Sequence, residues 1–305
     1  MGSAGKMLYI AGGPGGNSIG PAIHTYVANS LGLDWACEFL RLSDVHDVIE
    51  LFRRSDFAGG LVTMPHKRTI IPLLDSVDAY VKEIGACNFV VRRPDGHLHG
   101  SNTDWSGIKS ALDACRSPSL PARGYSAMVY GAGGASRAAI YALVAGLNCK
   151  EIYIVNRDEK EVAELVADVN TYTTTKPKLT HIMSVTQAEA MKCPQYIIST
   201  VPDFEPQSSE EITCCEILHH FLERAWSQEH VLLDMCYHPP LTRNLKAGVN
   251  ASWTVIPGFA VVAHQFAQQW DLWTGRSINT EAVFSMCDRL IQERETKIPQ
   301  EVVTA

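Results

Sequence analysis

The sequence has no surplus of positive charge, no long apolar run and no paired-cysteine motif, and each absence removes a class of protein. Its 26 Lys and Arg face 33 Asp and Glu, a formal net charge of -7, whereas a general nucleic-acid binder needs a basic surface to displace counterions. No apolar stretch approaches the ~18 residues needed to cross a bilayer. Met1 to Met7 run straight into Leu8-Tyr9-Ile10 without the basic, apolar and small-residue regions of a secretion signal, so a cytoplasmic protein is expected. The nine cysteines are odd in number and scattered. None forms a Cys-x-x-Cys pair, and the Cys214-Cys215 doublet suits neither a zinc knuckle nor a redox turn. Free thiols in a reducing compartment are expected, with no structural metal.

What is present reads as α/β architecture. At 305 residues, the chain predicts one large or two modest domains. Leu8 to Ile10, Trp35 to Leu42 and Gly59 to Thr63 read as strands. Pro21 to Leu31 and Asp44 to Arg54 read as helices, the second capped by Ser43 or Asp44. Ala86 to Val91 and His97 to Gly100 flank the turn Pro94-Asp95-Gly96 and predict a hairpin. Residues Arg116 to Gly124, rich in Pro, Ser and Gly, read as a linker. A second α/β unit follows, with strands at Ser126–Tyr130, Glu151–Val155, Tyr196–Ser199 and Val231–Asp234, and helices at Ser136–Leu147 and Glu159–Val169. Thr171 to Lys178 reads as a polar loop. From Gly258 the pattern is helical, with a polar tail after Lys297.

Between the first strand and helix of that second unit lies Gly131-Ala132-Gly133-Gly134-Ala135-Ser136-Arg137. Glycines there let the backbone turn tightly and approach a pyrophosphate, whose charge the helix N-terminus stabilises. The last glycine of the usual spacing is replaced by Ser136, but the next strand ends at Asn156-Arg157-Asp158, where adenine-ribose selectivity is set. Arg157 can stack on adenine or pair with a 2′-phosphate, while Asp158 and Glu161 would repel that phosphate and Asp158 could accept from a ribose diol. Lys160 restores some attraction, so NAD and NADP both stay open, with the balance leaning to NAD. The earlier run Gly12 to Gly16 lacks the Gly-Lys-Ser/Thr ending of a phosphate loop and reads as a strand-to-helix turn.

Four polar stretches in the first unit fall at strand ends or turns, where α/β sheets place ligand contacts. They are Ser18-Ile19-Gly20-Pro21, Val62-Thr63-Met64-Pro65-His66-Lys67, Gly85-Ala86-Cys87-Asn88 and Gly100-Ser101-Asn102-Thr103-Asp104. One Lys, one Asp, an Asn and two Thr suit a polyhydroxylated substrate, with a cation for a carboxylate or alkoxide. Taken in order with Gly-Ala-Gly-Gly-Ala, Asn-Arg, Asp234-x-x-Tyr237 through Thr242, and Gln265 ahead of Trp273-Thr274-Gly275, these stretches resemble the shikimate/quinate dehydrogenase family. The resemblance spans Ser18 to Gly275.

That resemblance implies a substrate-binding domain over residues 1–108, completed by C-terminal helices in 259–305, and a Rossmann-type doubly wound NAD(P) domain over 109–258. It implies Lys67 and Asp104 as the catalytic pair, with Ser18, Thr63, Asn88, Thr103, Tyr237 and Gln265 binding substrate. Cofactor contacts are implied at Gly131, Ala132, Gly133, Gly134, Ala135, Asn156, Arg157, Asp158, Thr200 and Gly258. The partner is a small molecule, with no nucleic acid or membrane, and the protein is a monomer or homodimer. An isolated Lys67 would ordinarily be a solvated side chain, and an isolated Asp104 a helix N-cap; the motif favours chemistry. His24, His66 and His264 adjoin motif residues without a catalytic role, His66 as a loop residue and His264 at a helix surface or in interdomain packing.

Two departures touch the expected pocket. Gly20 stands where the family has a second serine, and losing one hydrogen bond to a carboxylate costs about 1.5–3 kcal/mol. Phe89 and Trp105 replace smaller residues after Asn88 and Asp104 and are expected to reshape the pocket. Shikimate oxidation to 3-dehydroshikimate is the leading expectation and quinate oxidation to 3-dehydroquinate the alternative. A non-catalytic sensor of such metabolites is a third, disfavoured by retention of both Lys67 and Asp104.

Overall fold

The computed structural model describes residues 5–14, 18–115, 125–173, 175–224 and 229–296. The linker expected at 116–124, the end of the Gly12–Gly16 run and the polar tail lie outside the described residues. Two six-stranded sheets carry the chain. The first comprises β1 (Lys6–Gly12), α1 (Gly20–Ser30), β2 (Trp35–Arg41), α2 (Val45–Phe52), β3 (Phe57–Val62), β4 (Ser76–Val77), α3 (Ala79–Ile84), β5 (Phe89–Arg92), β6 (Leu98–Ser101) and α4 (Asp104–Ala114). Its strand order is β2-β1-β3-β5-β6-β4. β1 pairs parallel with β2 and β3, and the expected hairpin supplies the antiparallel pair β5–β6.

The second sheet is parallel throughout. It is built from β7 (Ser126–Tyr130), α5 (Gly134–Tyr141), β8 (Glu151–Val155), α6 (Glu159–Asn170), β9 (Lys178–His181), α7 (Val185–Glu189), β10 (Tyr196–Ser199), α8 (Ser209–Glu223), β11 (Val231–Asp234), α9 (Arg243–Asn250) and β12 (Thr254–Pro257). The order β12-β11-β10-β7-β8-β9 reverses direction at β7, the doubly wound arrangement. All four residues of β10 and of β11 are buried, as expected of strands covered by helices on both faces. The short edge strands β4, β9 and β12 escaped the sequence reading. The helix expected over Ser136–Leu147 instead changes to a wider π turn over Ala142–Gly146.

The chain then returns to the first sheet through α10 (Gly258–Thr274) and α11 (Thr280–Thr296). Ala263, Phe266 and Trp270 of α10 bury against Leu8, Ile23 and Val27, together with Val283, Cys287 and Ile291 of α11. Trp273 closes this contact. Its indole nitrogen donates to the Val90 carbonyl at 3.2 Å and its ring stacks on Phe89. Gly59 of β3 makes that approach possible, because a Cβ there would lie 2.1 Å from the same nitrogen. Gly59→Ala must displace the indole, and overpacking of this kind costs about 1–3 kcal/mol. Urea unfolding at neutral pH checks it; a loss under about 0.5 kcal/mol would mean that Trp273 does not anchor the returning helix.

Candidate active site

A salt bridge forms the centre of the site. Lys67 Nζ lies 2.6 Å from Asp104 Oδ2, and their side chains are only 14% and 6% exposed. Lys67 sits in the turn after β3, whose backbone is held by His66 N donating to the Thr63 carbonyl at 3.0 Å and Cys87 N to the Lys67 carbonyl at 2.7 Å. Thr63 itself continues the strand through its N–H to the Ala11 carbonyl. His66 is a loop residue as expected, but it is buried, with Nε2 2.7 Å from the Leu42 carbonyl.

Asp104 belongs to the first turn of α4 rather than its N-cap, which is Thr103, so the carboxylate also faces the positive end of the helix. Its Oδ1 accepts from Asn88 Nδ2 at 2.9 Å and Gln265 Nε2 at 3.2 Å. Asn88 Oδ1 in turn accepts from Thr103 N at 2.7 Å. Two buried side chains without an assigned role complete the network. Gln269 donates to Thr103 Oγ1 at 3.1 Å and to Gln265 Oε1 at 3.0 Å, and Asn102 donates to the Ala86 carbonyl at 2.8 Å. Gln269 lies one helical turn beyond Gln265, a spacing that was visible in the sequence. Away from this cluster, Ser18 Oγ accepts from Gly20 N at 2.9 Å and stands 3.5 Å from the Tyr237 hydroxyl.

The glycine turn lies against the same lysine. A Cβ on Gly134 would meet Lys67 Cβ at 3.0 Å, whereas one on Gly133 would meet nothing within 4 Å. Gly131, at φ 116°, starts the turn in a backbone conformation that only glycine adopts without cost. Buried Arg137, also unassigned from sequence, donates to the Ala132 and Gly133 carbonyls at 2.7 and 3.2 Å and pairs with Asp168 of α6 at 2.6 Å. Gly133, with nothing within 4 Å of where a Cβ would stand, is the N-cap of α5, and a helix N-terminus of this kind stabilises an anion such as a pyrophosphate. Thr200 packs beneath Gly131, its hydroxyl donating to the Tyr130 carbonyl at 2.9 Å. Gly258 opens α10 beside the Met235 carbonyl. At the far end of β8, Asn156 donates to Glu161 at 3.0 Å, Arg157 pairs with Glu211, and Asp158 Oδ1 caps α6 by accepting from Lys160 N at 2.8 Å.

This geometry has counterparts among known proteins. Residues 10–90 match the family model for the shikimate dehydrogenase substrate binding domain. A quinate dehydrogenase of Emericella nidulans is 35% identical, the match covering 90% of this chain and 89% of the relative. The chain belongs to the shikimate/quinate dehydrogenase family. A solved shikimate 5-dehydrogenase of Listeria monocytogenes, in complex with shikimate and NAD, superposes with a TM-score of 0.73 at 25% identity, covering 92% of this chain and 96% of the other. One from Thermus thermophilus, with NADP(H) and shikimate, gives 0.69 at 26% identity, covering 93% and 99%.

Two of this family member's departures lie elsewhere than expected. Phe89 is 1% exposed and packs on Trp273, because alternation along β5 turns it to the opposite face from Asn88. Trp105 follows Asp104 around the helix and joins Tyr80 and Tyr141, with ring centroids 4.9 and 5.3 Å away. The expectation that both reshape the substrate pocket is therefore corrected: they are packing residues. Gly20 remains the departure beside Ser18, and Ile10 Cδ1 lies 2.4 Å from where its Cβ would be. His24 is buried among Phe266, Trp270 and Trp273, and burial pushes its imidazole down to about 3, so it stays neutral. His264 packs edge-on against Phe284 of α11, within the returning helices.

Asp234, at the end of β11, holds the segment that carries Tyr237. It accepts from Thr242 Oγ1 at 2.7 Å and Cys236 N at 3.1 Å. Burial pushes its carboxyl up to about 6, against the opposing pull of the Thr242 hydrogen bond. A raised acid favours folding while protonated, and this contribution is lost as pH rises from about 4 through 6, a swing of about 3 kcal/mol. Asp234→Asn should flatten that slope in urea unfolding measured from pH 4 to 7. Parallel profiles for parent and variant would show that Asp234 folds without taking up a proton.

Proposed function

We propose that this protein passes a hydride between NAD(P) and a ring hydroxyl of a cyclic carboxylic acid, with shikimate and 3-dehydroshikimate as the leading pair. The observation that carries this is the Lys67–Asp104 ion pair, whose lysine packs its aliphatic stem against Gly134 of the glycine turn. When bound, the nicotinamide supplies the hydride acceptor, leaving the hydroxyl proton for the protein to manage. Lys67 hands a proton to Asp104 Oδ2, 2.6 Å behind it, and takes up the hydroxyl proton as the hydride leaves, so that its ammonium then donates a hydrogen bond to the forming carbonyl oxygen. Asn88 and Gln265 fix the carboxylate through its other oxygen, and with Thr63 and Thr103 they offer donors and acceptors to ring hydroxyls. Ser18 and Tyr237 face the substrate carboxylate. Gly131 to Ala135, Asn156 to Asp158, Thr200 and Gly258 hold the cofactor.

Residues 1–108 with the helices of 259–305 form the substrate unit in this scheme, and 109–258 the cofactor unit. A catalytically silent sensor would not need a lysine and a carboxylate paired beside the cofactor turn. Quinate is the second reading, favoured by Gly20: it brings its own hydroxyl on the carboxylate-bearing carbon, where the family's second serine hydroxyl is missing. All nine cysteines are free, which suits a reducing cytosol, and we place the protein there as a monomer or homodimer.

Absorbance at 340 nm with shikimate and quinate, each against NAD and NADP, tests the proposal. Reduction is expected in at least one combination, and silence in all four would sink the dehydrogenase. Lys67→Ala should then lower turnover by about 10²–10⁴-fold; a rate near that of the parent would take the proton chemistry away from Lys67.

A further inference from the structure

Arg157 is the cation best placed at the end of β8 to receive a ribose phosphate, yet it is already engaged. Its Nη1 pairs with Oε1 of Glu211 in the first turn of α8. Glu211 is itself anchored, because its Oε2 accepts from Gln207 N at 2.7 Å and Ser208 N at 3.2 Å, while Ser208 Oγ accepts from Glu211 N in return. This reciprocal capping box fixes the carboxylate to the backbone, so Arg157 is held by a partner that cannot swing aside cheaply. The same hydrogen bonds, from the Gln207 and Ser208 amides first and Arg157 after them, lower the Glu211 carboxyl and keep it ionised at neutral pH.

The surroundings add to the bias. An open cleft of about 180 Å³ runs between β8 and α8, lined by Asn156, Arg157, Glu159, His181, Ser209 and Glu210. A neighbouring one reaches Asp158 and Lys160. Around Arg157, then, stand the carboxylates of Asp158, Glu159, Glu210 and Glu211, with Lys160 as the second cation. Asp158 uses Oδ1 for the α6 cap, and its Oδ2 makes none of the cap's hydrogen bonds. A free ribose diol can donate to that oxygen, while a 2′-phosphate would need Arg157 released.

We propose that Glu211 sets cofactor selectivity toward NAD by holding the guanidinium that a ribose 2′-phosphate would otherwise claim. Glu211 acts through Arg157 and is a positioning residue. The inference rests on the dinucleotide assignment made above, and its test must separate the two.

Isothermal titration calorimetry of the full chain with NAD and with NADP, for the parent, Glu211→Gln, Arg157→Gln and the double variant, makes that separation. Glutamine keeps an oxygen for the capping amides and removes the charge. Glu211→Gln should move the ratio of dissociation constants toward NADP by about two- to fivefold, and the double variant should lose that gain. Arg157→Gln alone should move the ratio by less than about twofold, because Glu211 already occupies the guanidinium. The proposal is overturned if Glu211→Gln binds NAD but leaves the ratio unchanged. It is equally overturned if Arg157→Gln alone weakens NADP by about tenfold, since Arg157 would then already serve the phosphate. If the parent binds neither dinucleotide, the cofactor assignment itself fails and takes this inference with it.

Discussion

The buried Lys67–Asp104 pair is the constraint around which the rest of the site is arranged. Two charges withdrawn from water lose several kcal/mol of hydration each, and their mutual attraction offsets that only when the remaining lone pairs are also satisfied. Asp104 meets the condition through Asn88, Gln265 and the N-terminal turn of α4. Those partners come from β3's turn, the entry to β5, the end of β6 and α10. The ion pair therefore requires the antiparallel hairpin in the first sheet and a helix delivered from beyond the second.

That requirement explains why the chain crosses between its two sheets twice. α10 leaves β12 of the cofactor sheet, buries its apolar face on α1 and α11, and presents Gln265 and Gln269 to the network. α4 makes the opposite crossing, opening with Asp104 and packing Ile108, Ala111 and Leu112 into the core of the second unit. Further ties run alongside. Arg68, next to Lys67 in sequence, reaches Glu164 of α6 at 2.8 Å, and Glu83 of α3 accepts from Thr173 N at 2.7 Å. Exposed contacts of this kind contribute little stability, but together with Gly134 against Lys67 they set where the glycine turn meets the buried ion pair.

Much of this was legible in one dimension, for reasons that differ by feature. The buried parallel strands β8, β10 and β11 announce themselves as short apolar runs, and Gly131 to Arg137 carries turn chemistry at a strand–helix junction. The edge strands β4 and β9 are too short or too polar to show a period. Arg137, at the end of that turn motif, has no role of its own legible in the sequence, since only the fold brings Asp168 and the Ala132 carbonyl to it. Phe89 and Trp105 misled for a related reason: adjacency to a functional residue along the chain says nothing about the face on which a side chain emerges.

The sequence by itself determined the two α/β units, the set of polar motifs and the family, because residue types at fixed local spacing encode turns, helix starts and reactive groups without reference to distant contacts. Only the tertiary structure decided which of those groups act together. It put Gln269 in the network, took Phe89 and Trp105 out of the pocket, and closed Glu211 on Arg157. Each of those outcomes depends on a direction in space: a side chain's face on its element, and the element's place against another far away in the chain.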